Sequence, residues 1–255
     1  MRIDFTLPKC EADVYPRPLG DGAVIDIDRS MVGRFAAKLA APLSGDEFQR
    51  IDCAPRAKLG DGAITVADWV QAGRYAAGLD PLTPTGGPST PQPYAGKAIN
   101  GLILPLFWRL LSTPPTVELS STLIFRGQTG TVSVTLNARG NESAVGFSVR
   151  FDPQRLAFVD ARLTGGVGAV LYANTAQAAA GRVGFALMRP LPRPFSAGRR
   201  TILLLTFRAL ASAPNGMTTL AFDDQPVMRE VASLQAAPVV TTFYGGMILI
   251  IDAIK

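Results

Sequence analysis

Two short stretches carry carboxylates at a spacing suited to holding a small cation. Asp21-Gly22-Ala23 is followed by Asp28, and forty residues on Asp61-Gly62-Ala63 is followed by Asp68. Calcium takes 6–8 oxygen ligands, which a loop delivers as carboxylates and backbone carbonyls arranged around a glycine that permits a sharp bend. In such a loop Asp21 and Asp61 stand at the fifth place. Ala23 and Ala63 offer a carbonyl at the seventh, and Asp28 and Asp68 close the site at the twelfth. Asp13 and Asp52, set back before a Pro-Arg pair, supply one more carboxylate each if the loop is enlarged. The first and third places hold Arg17 and Leu19 in one loop and Ala57 and Leu59 in the other. Either these are two weak calcium sites, with dissociation constants of ~0.1–1 mM, or the loops are a relic that folds without metal.

Other chemistry is thinly represented. Histidine is absent, which removes Ser-His and Cys-His nucleophile pairs, imidazole zinc sites and the most usual general base at neutral pH. Cys10 and Cys53 lack the CxxC spacing of a metal ribbon or redox site. They flank the two similar segments and either form one disulfide in an oxidising compartment or stay as two inert thiols. Asp223-Asp224 is an adjacent carboxylate pair, but neighbours along a strand point to opposite faces and cannot flank one bond. The chain is therefore expected to be non-catalytic.

Behind the loop carboxylates stands a repeat. Residues 13–39 and 52–79 share Asp, Pro-Arg, Leu-Gly-Asp-Gly-Ala, a second Asp, Gly-Arg-aromatic-Ala-Ala and Leu in the same order. Val32, Phe35, Ala36 and Leu39 fall at helical spacing, as do Ala72, Tyr75, Ala76 and Leu79. Asp28 and Asp68 stand at the helix entrances, where a carboxylate caps free N–H groups. Residues 80–93 hold five Pro and two Gly, the composition of an extended linker. The apolar window 98–111 has no clear assignment and is a strand or a short helix packed on the C-terminal unit. With Asn100, Pro105 and Arg109 in it, it is too short and interrupted to span a bilayer. No secretory signal is visible in Met1–Cys10.

From Thr116 the hydrophobic period becomes two. Thr131–Leu136, Gly146–Phe151 and Arg182–Leu187 alternate, and Thr201–Phe207 is nearly continuous. Roughly nine short strands separated by Gly/Asn turns describe an antiparallel sandwich. The fold class is thus α + β and multidomain. A duplicated loop-helix module spans 12–80, a Pro-rich linker with the apolar segment 81–115, and an all-β jelly-roll sandwich 116–251. Residues 1–80 carry net charge −2 and residues 81–255 net +7, two units suited to different partners. The arginines of the second unit are single and spaced, without basic runs that track a phosphate backbone, so nucleic acid is not an expected partner.

The repeat, with Leu-Gly-Asp-Gly-Ala and the closing Asp in each copy, resembles a type I dockerin. That resemblance implies calcium binding and docking onto cohesin domains. The second unit is similar to a cohesin through Gly127-Gln-Thr-Gly130, Ala144–Phe151 with Asp152-Pro153, Leu156 and Phe158, and Gly181–Phe185. Together they imply a scaffold or adaptor working in calcium-assisted assembly, outside the cell or at its surface, among proteins that degrade polysaccharides. Carried over from dockerins, the recognition positions are Asp26, Ile27, Arg34 and Lys38 in the first copy and Val66, Ala67, Arg74 and Gly78 in the second. The rival function is a carbohydrate-binding module aimed at a surface glycan. It needs a flat row of aromatic rings, and the sandwich offers only Tyr172 and Tyr244.

Purified protein should hydrolyse no glycoside, ester or peptide bond above background. A turnover that survives repurification and disappears in Asp223→Asn would overturn the non-catalytic reading.

Overall fold

The two copies of the repeat fold alike because their side chains place the same caps. The computed structural model describes residues 9–93 and 114–253, and within them the first copy forms α1 (Asp26–Ala36). The segment between the copies forms α2 (Gly45–Ile51) and the second copy forms α3 (Val66–Ala76). Asp28 turns back to accept the Ile25 N–H at 3.0 Å and Asp68 the Thr65 N–H at 2.8 Å, one orphan donor satisfied at each helix entrance. Past the helix ends Lys38 and Gly78 occupy the same left-handed position, at φ 55° and 65°. Buried Val32 and Phe35 of α1 meet Ala72 and Tyr75 of α3, and the two helices pack side by side.

Helix α2 goes beyond the sequence expectation. Its signal is Ser44-Gly45-Asp46-Glu47, the Ser-x-x-Glu spacing of a helix start. Ser44 Oγ accepts the Glu47 N–H at 3.1 Å, and Glu47 Oε2 accepts the Leu43 N–H at 2.6 Å. Glu47 is fully buried and forms an ion pair with Arg17 at 2.6 Å. Cys53 is a buried free thiol and is not bridged to Cys10.

The second unit has twelve strands where about nine are expected from the sequence. These are β1 (Thr116–Leu119), β2 (Thr122–Phe125), β3 (Thr129–Ala138), β4 (Glu142–Arg150), β5 (Leu156–Leu163) and β6 (Val170–Asn174), then β7 (Arg182–Met188), β8 (Gly198–Ala209), β9 (Gly216–Asp223), β10 (Glu230–Ser233), β11 (Thr242–Tyr244) and β12 (Gly246–Ile251). One sheet has the order β11-β1-β3-β8-β5, the other β2-β12-β9-β4-β7-β6 with β10 added to β4. The extra count has a physical reason. The first strand breaks at Ser120-Ser121 and the last at Gly245, so each serves both sheets, and β10 adds a short partner to β4. The sandwich is also not wholly antiparallel, since β1 pairs parallel with β11 and β2 with β12.

Between the sheets lies a core in which Phe147 is central, its ring 5.5 Å from Phe185 and 5.4 Å from Phe222. The alternating aromatics of the sequence are core residues: Phe147, Phe151, Phe185 and Phe207 are all buried. The apolar window 98–111, with Trp108, lies outside the described residues. No helix among the described residues is long and apolar enough to cross a membrane.

Phe147→Ala should lower stability by about 3–5 kcal/mol, the range for emptying an aromatic site in a packed core. Urea unfolding followed by fluorescence checks it, and a loss below about 1 kcal/mol would contradict this core assignment.

Candidate docking surface and the two loops

Alternation along β4 and β7 separates two kinds of side chain. Val145, Phe147, Val149, Val183, Phe185 and Leu187 point into the sandwich core. Their neighbours Ala144, Gly146, Ser148, Gly184, Ala186 and Met188 are buried as well. Ala144, Ala186 and Met188 join Val66, Trp69, Val70 and Phe35 in a second apolar cluster that belongs to both units, because the repeat module lies over this face. Short outward side chains let the helix come close: a Cβ on Gly146 would lie 2.9 Å from the Met228 carbonyl and 3.0 Å from Val66 Cγ1.

Polar contacts fix the register of this contact at the helix ends. Glu230 of β10 is buried, and its Oε1 accepts the Thr65 hydroxyl at 2.7 Å and the Ala67 N–H at 3.0 Å. A carboxylate there meets the unpaired amides and the positive end of the α3 dipole. At the end of α1, Asn174 of β6 donates to the carbonyls of Ala37 and Lys38 at 3.1 and 3.0 Å. Tyr172 donates to the Ser30 carbonyl at 3.3 Å, and its ring is 5.0 Å from that of Trp69. Arg74 reaches across to the Leu234 carbonyl at 2.6 Å while Asp80 holds its other nitrogens at 2.7 and 2.8 Å.

These contacts place the residues carried over as recognition positions. Val66 and Ala67 are buried against the sandwich and Arg74 bonds to it. The carbonyl of Lys38 accepts from Asn174, and its Nζ donates to the Ile64 carbonyl at 3.1 Å. In the first copy Asp26, Ile27 and Arg34 are exposed. Glu230, Asn174 and Tyr172 escape the sequence reading. Their signal is a polar or aromatic residue on the outward face of a strand, beside neighbours too small to need solvent.

The loop carboxylates are turned toward backbone amides. Asp13 accepts the N–H groups of Asp21 and Gly22 at 3.0 and 2.8 Å, and Asp52 those of Asp61 and Gly62 at 3.0 and 2.6 Å. Asp28 Oδ1 takes Val14 and Tyr15 at 3.0 and 2.8 Å, as Asp68 Oδ1 takes Cys53 and Ala54 at 2.8 Å each. Ala23 and Ala63, expected as carbonyl ligands, donate their N–H groups to Asp21 and Asp61 at 3.0 and 3.1 Å. Burial pushes the carboxyls of Asp13, Asp61 and Asp68 above the ordinary range and that of Asp52 to about 6, while the amide donors pull against it. A calcium shell presents oxygens to a common centre. This donor set presents N–H groups to both oxygens of Asp13, Asp28, Asp52 and Asp68 instead, and among the described residues no three acidic, histidine or cysteine side chains converge as a metal cluster. The residues as arranged do not fit a calcium ion.

Asp223 and Asp224, the adjacent pair, are taken up by Arg182 at 3.2 Å and Arg229 at 2.8 Å.

No protein-family profile matches the chain, and no curated protein does. Solved structures similar to part of it include the seventh type I cohesin of ScaB from Pseudobacteroides cellulosolvens, at 13% identity over 55% of this chain and 94% of that one, TM-score 0.47. A type I cohesin–dockerin complex from Clostridium thermocellum, Coh-OlpC-Doc435, is similar at 10% identity over 56% of this chain and 96% of that one, TM-score 0.48. A non-cellulosomal cohesin from the archaeon Archaeoglobus fulgidus is similar at 13% identity over 55% of this chain and 93% of that one, TM-score 0.45.

The Arg74–Asp80 pair gives the docked module an acid limit. Hydrogen bonds from Arg74 hold the Asp80 carboxyl at about 2, below its ordinary 3.8. A depressed folded-state value stabilises above the unfolded one and is lost as pH falls through about 4 toward 2. Asp80→Asn should melt below the parent at neutral pH, and the gap should close as pH approaches about 2. A gap that persists in acid would remove this pair from the account.

Proposed function

We propose that this chain is a non-catalytic protein–protein interaction module of the cohesin–dockerin type, in which the duplicated loop-helix module is the built-in partner of the sandwich. The observation that carries the reading is the contact itself: Glu230 on the first turn of α3, Asn174 on the last carbonyls of α1, and a shared apolar cluster between them. Both helix ends are satisfied by side chains of the other unit, which makes the contact orientation-specific as well as apolar. Of the residues carried over as dockerin recognition positions, Val66, Ala67 and Arg74 meet the sandwich, as does the Lys38 carbonyl. Assembly outside the cell or at its surface is the setting in which such a pair would work.

The first copy extends the reading. Asp26, Ile27 and Arg34 occupy the places that Val66, Ala67 and Arg74 hold in the second copy, and they face solvent. They are the surface this module offers to a second protein. A glycan-binding role draws less support, because Tyr172 is packed against Trp69 with the rings tilted by 42° and leaves Tyr244 as the exposed ring of the pair.

Tethering hides the strength of the internal contact, since two units of one chain meet at an effective concentration on the order of mM. A protease site placed within residues 94–113 of the full chain lets the folded protein be cut between its units. The fragments should co-elute in gel filtration at micromolar concentration and separate when Glu230→Ala is combined with Asn174→Ala. Separation of fragments that carry neither substitution, under the same conditions, would sink the docking reading.

A further inference from the structure

Arg50, on α2, has a fully buried side chain. Its Nε donates to the Asp13 carbonyl at 2.7 Å, and its Nη2 donates to the Pro18 carbonyl. Both acceptors belong to the first loop. A fixed positive charge therefore collects backbone carbonyls of a loop that also carries Asp13, Asp21 and Asp28. Carbonyl oxygens gathered on a cation are what calcium accomplishes in loops of this kind. Arginine stays charged under any physiological condition and presents its donors in a rigid fork.

The second loop has no guanidinium in the corresponding place. The residue equivalent to Arg50 in the repeat is Glu11, two positions before Asp13 as Arg50 is two before Asp52. Glu11 Oε1 accepts the Gly86 N–H at 2.8 Å, and the chain beyond α3 runs back across the second loop. Gln92 donates its N–H to the Gly62 carbonyl at 2.9 Å, and Gln49 holds the Gly87 carbonyl at 2.8 Å. Gly87 passes so close that a Cβ there would lie 1.9 Å from the Leu59 carbonyl. Each loop is thus closed by protein groups of its own: the first by a cation from α2, the second by the strap of residues 83–92.

We infer that both loops hold their shape without a metal ion, the first through Arg50 in a cation's role, and that docking of the module on the sandwich is calcium-independent. Calcium-independent docking rests on the docking proposal; metal-free closure of the loops does not. Asp13, Asp28, Asp52 and Asp68 serve here as acceptors that tie distant backbone amides together, not as ligands.

Full-length protein melted in excess EGTA and again in about 10 mM calcium, with magnesium as the ionic control, tests the closure of the loops. The expected shift of the midpoint is below about 1 °C. Calcium at a hundredfold its dissociation constant would instead raise the midpoint by roughly 5–10 °C, and a rise of that size specific to calcium overturns the inference. Arg50→Met should lower the midpoint by several degrees in both buffers, and a variant that melts like the parent removes Arg50 from its role. Should that variant fail to fold, the parent's response to calcium still decides. The linker-cut protein supplies the remaining arm. Fragments that stay together in EGTA support calcium-independent docking, and fragments held together only in calcium overturn it. Fragments that part in both buffers refute the docking reading and leave the melting result to judge the loops.

Discussion

A helix can lie flush against the outside of a β-sheet only where the strands beneath it carry short side chains, and much of this molecule depends on that steric condition. Ala144 and Gly146 on β4, with Ala186 on β7, create the shallow bed on which α3 rests, while Ser148 and Gly184 lie beneath Pro226 and Val227. Because the bed removes water from the helix, the amides at its first turn need an acceptor, and Glu230 is placed to be that acceptor. Because α1 packs on α3, its terminal carbonyls come within reach of Asn174. The sandwich core and the module core are then two faces of one layer of strands.

Electrostatics in the module obey a different rule. Taking many carboxylates out of water is costly unless each gains hydrogen-bond donors. Asp13, Asp28, Asp52 and Asp68 obtain theirs from the backbone of the loops they close, in the same pattern in both copies. The duplication is strict at these four loop aspartates and relaxed at the positions just before each copy. Arg50 and Glu11, at matching places, diverge in charge and in destination.

Much of the fold is legible in the sequence. The repeat, the capping roles of Asp28 and Asp68, and the strands at Thr131–Leu136, Gly146–Phe151, Arg182–Leu187 and Thr201–Phe207 all come from local spacing, which the fold keeps. Helix α2 is signalled by Ser44 and Glu47, but seven residues give too weak a periodic pattern to stand out. The loop chemistry lies beyond what spacing can express. Asp, Gly and Asp at the right intervals state where carboxylates lie along the chain, not whether oxygens or amides face the centre. The docking surface lies in the same line of residues that reveals the core, since in Ala144–Phe151 the inward members announce themselves by size and the outward ones only by smallness.

The broken first and last strands have a mechanical meaning. Strands β1 and β2 run parallel to β11 and β12, which places the start of the sandwich and its end on hydrogen-bonded neighbours. Tension applied at residues 116 and 251 would pull these pairs in opposite directions along their length. The bonds between them lie across the pull, so they are loaded together in shear and cannot be opened one after another like a zipper.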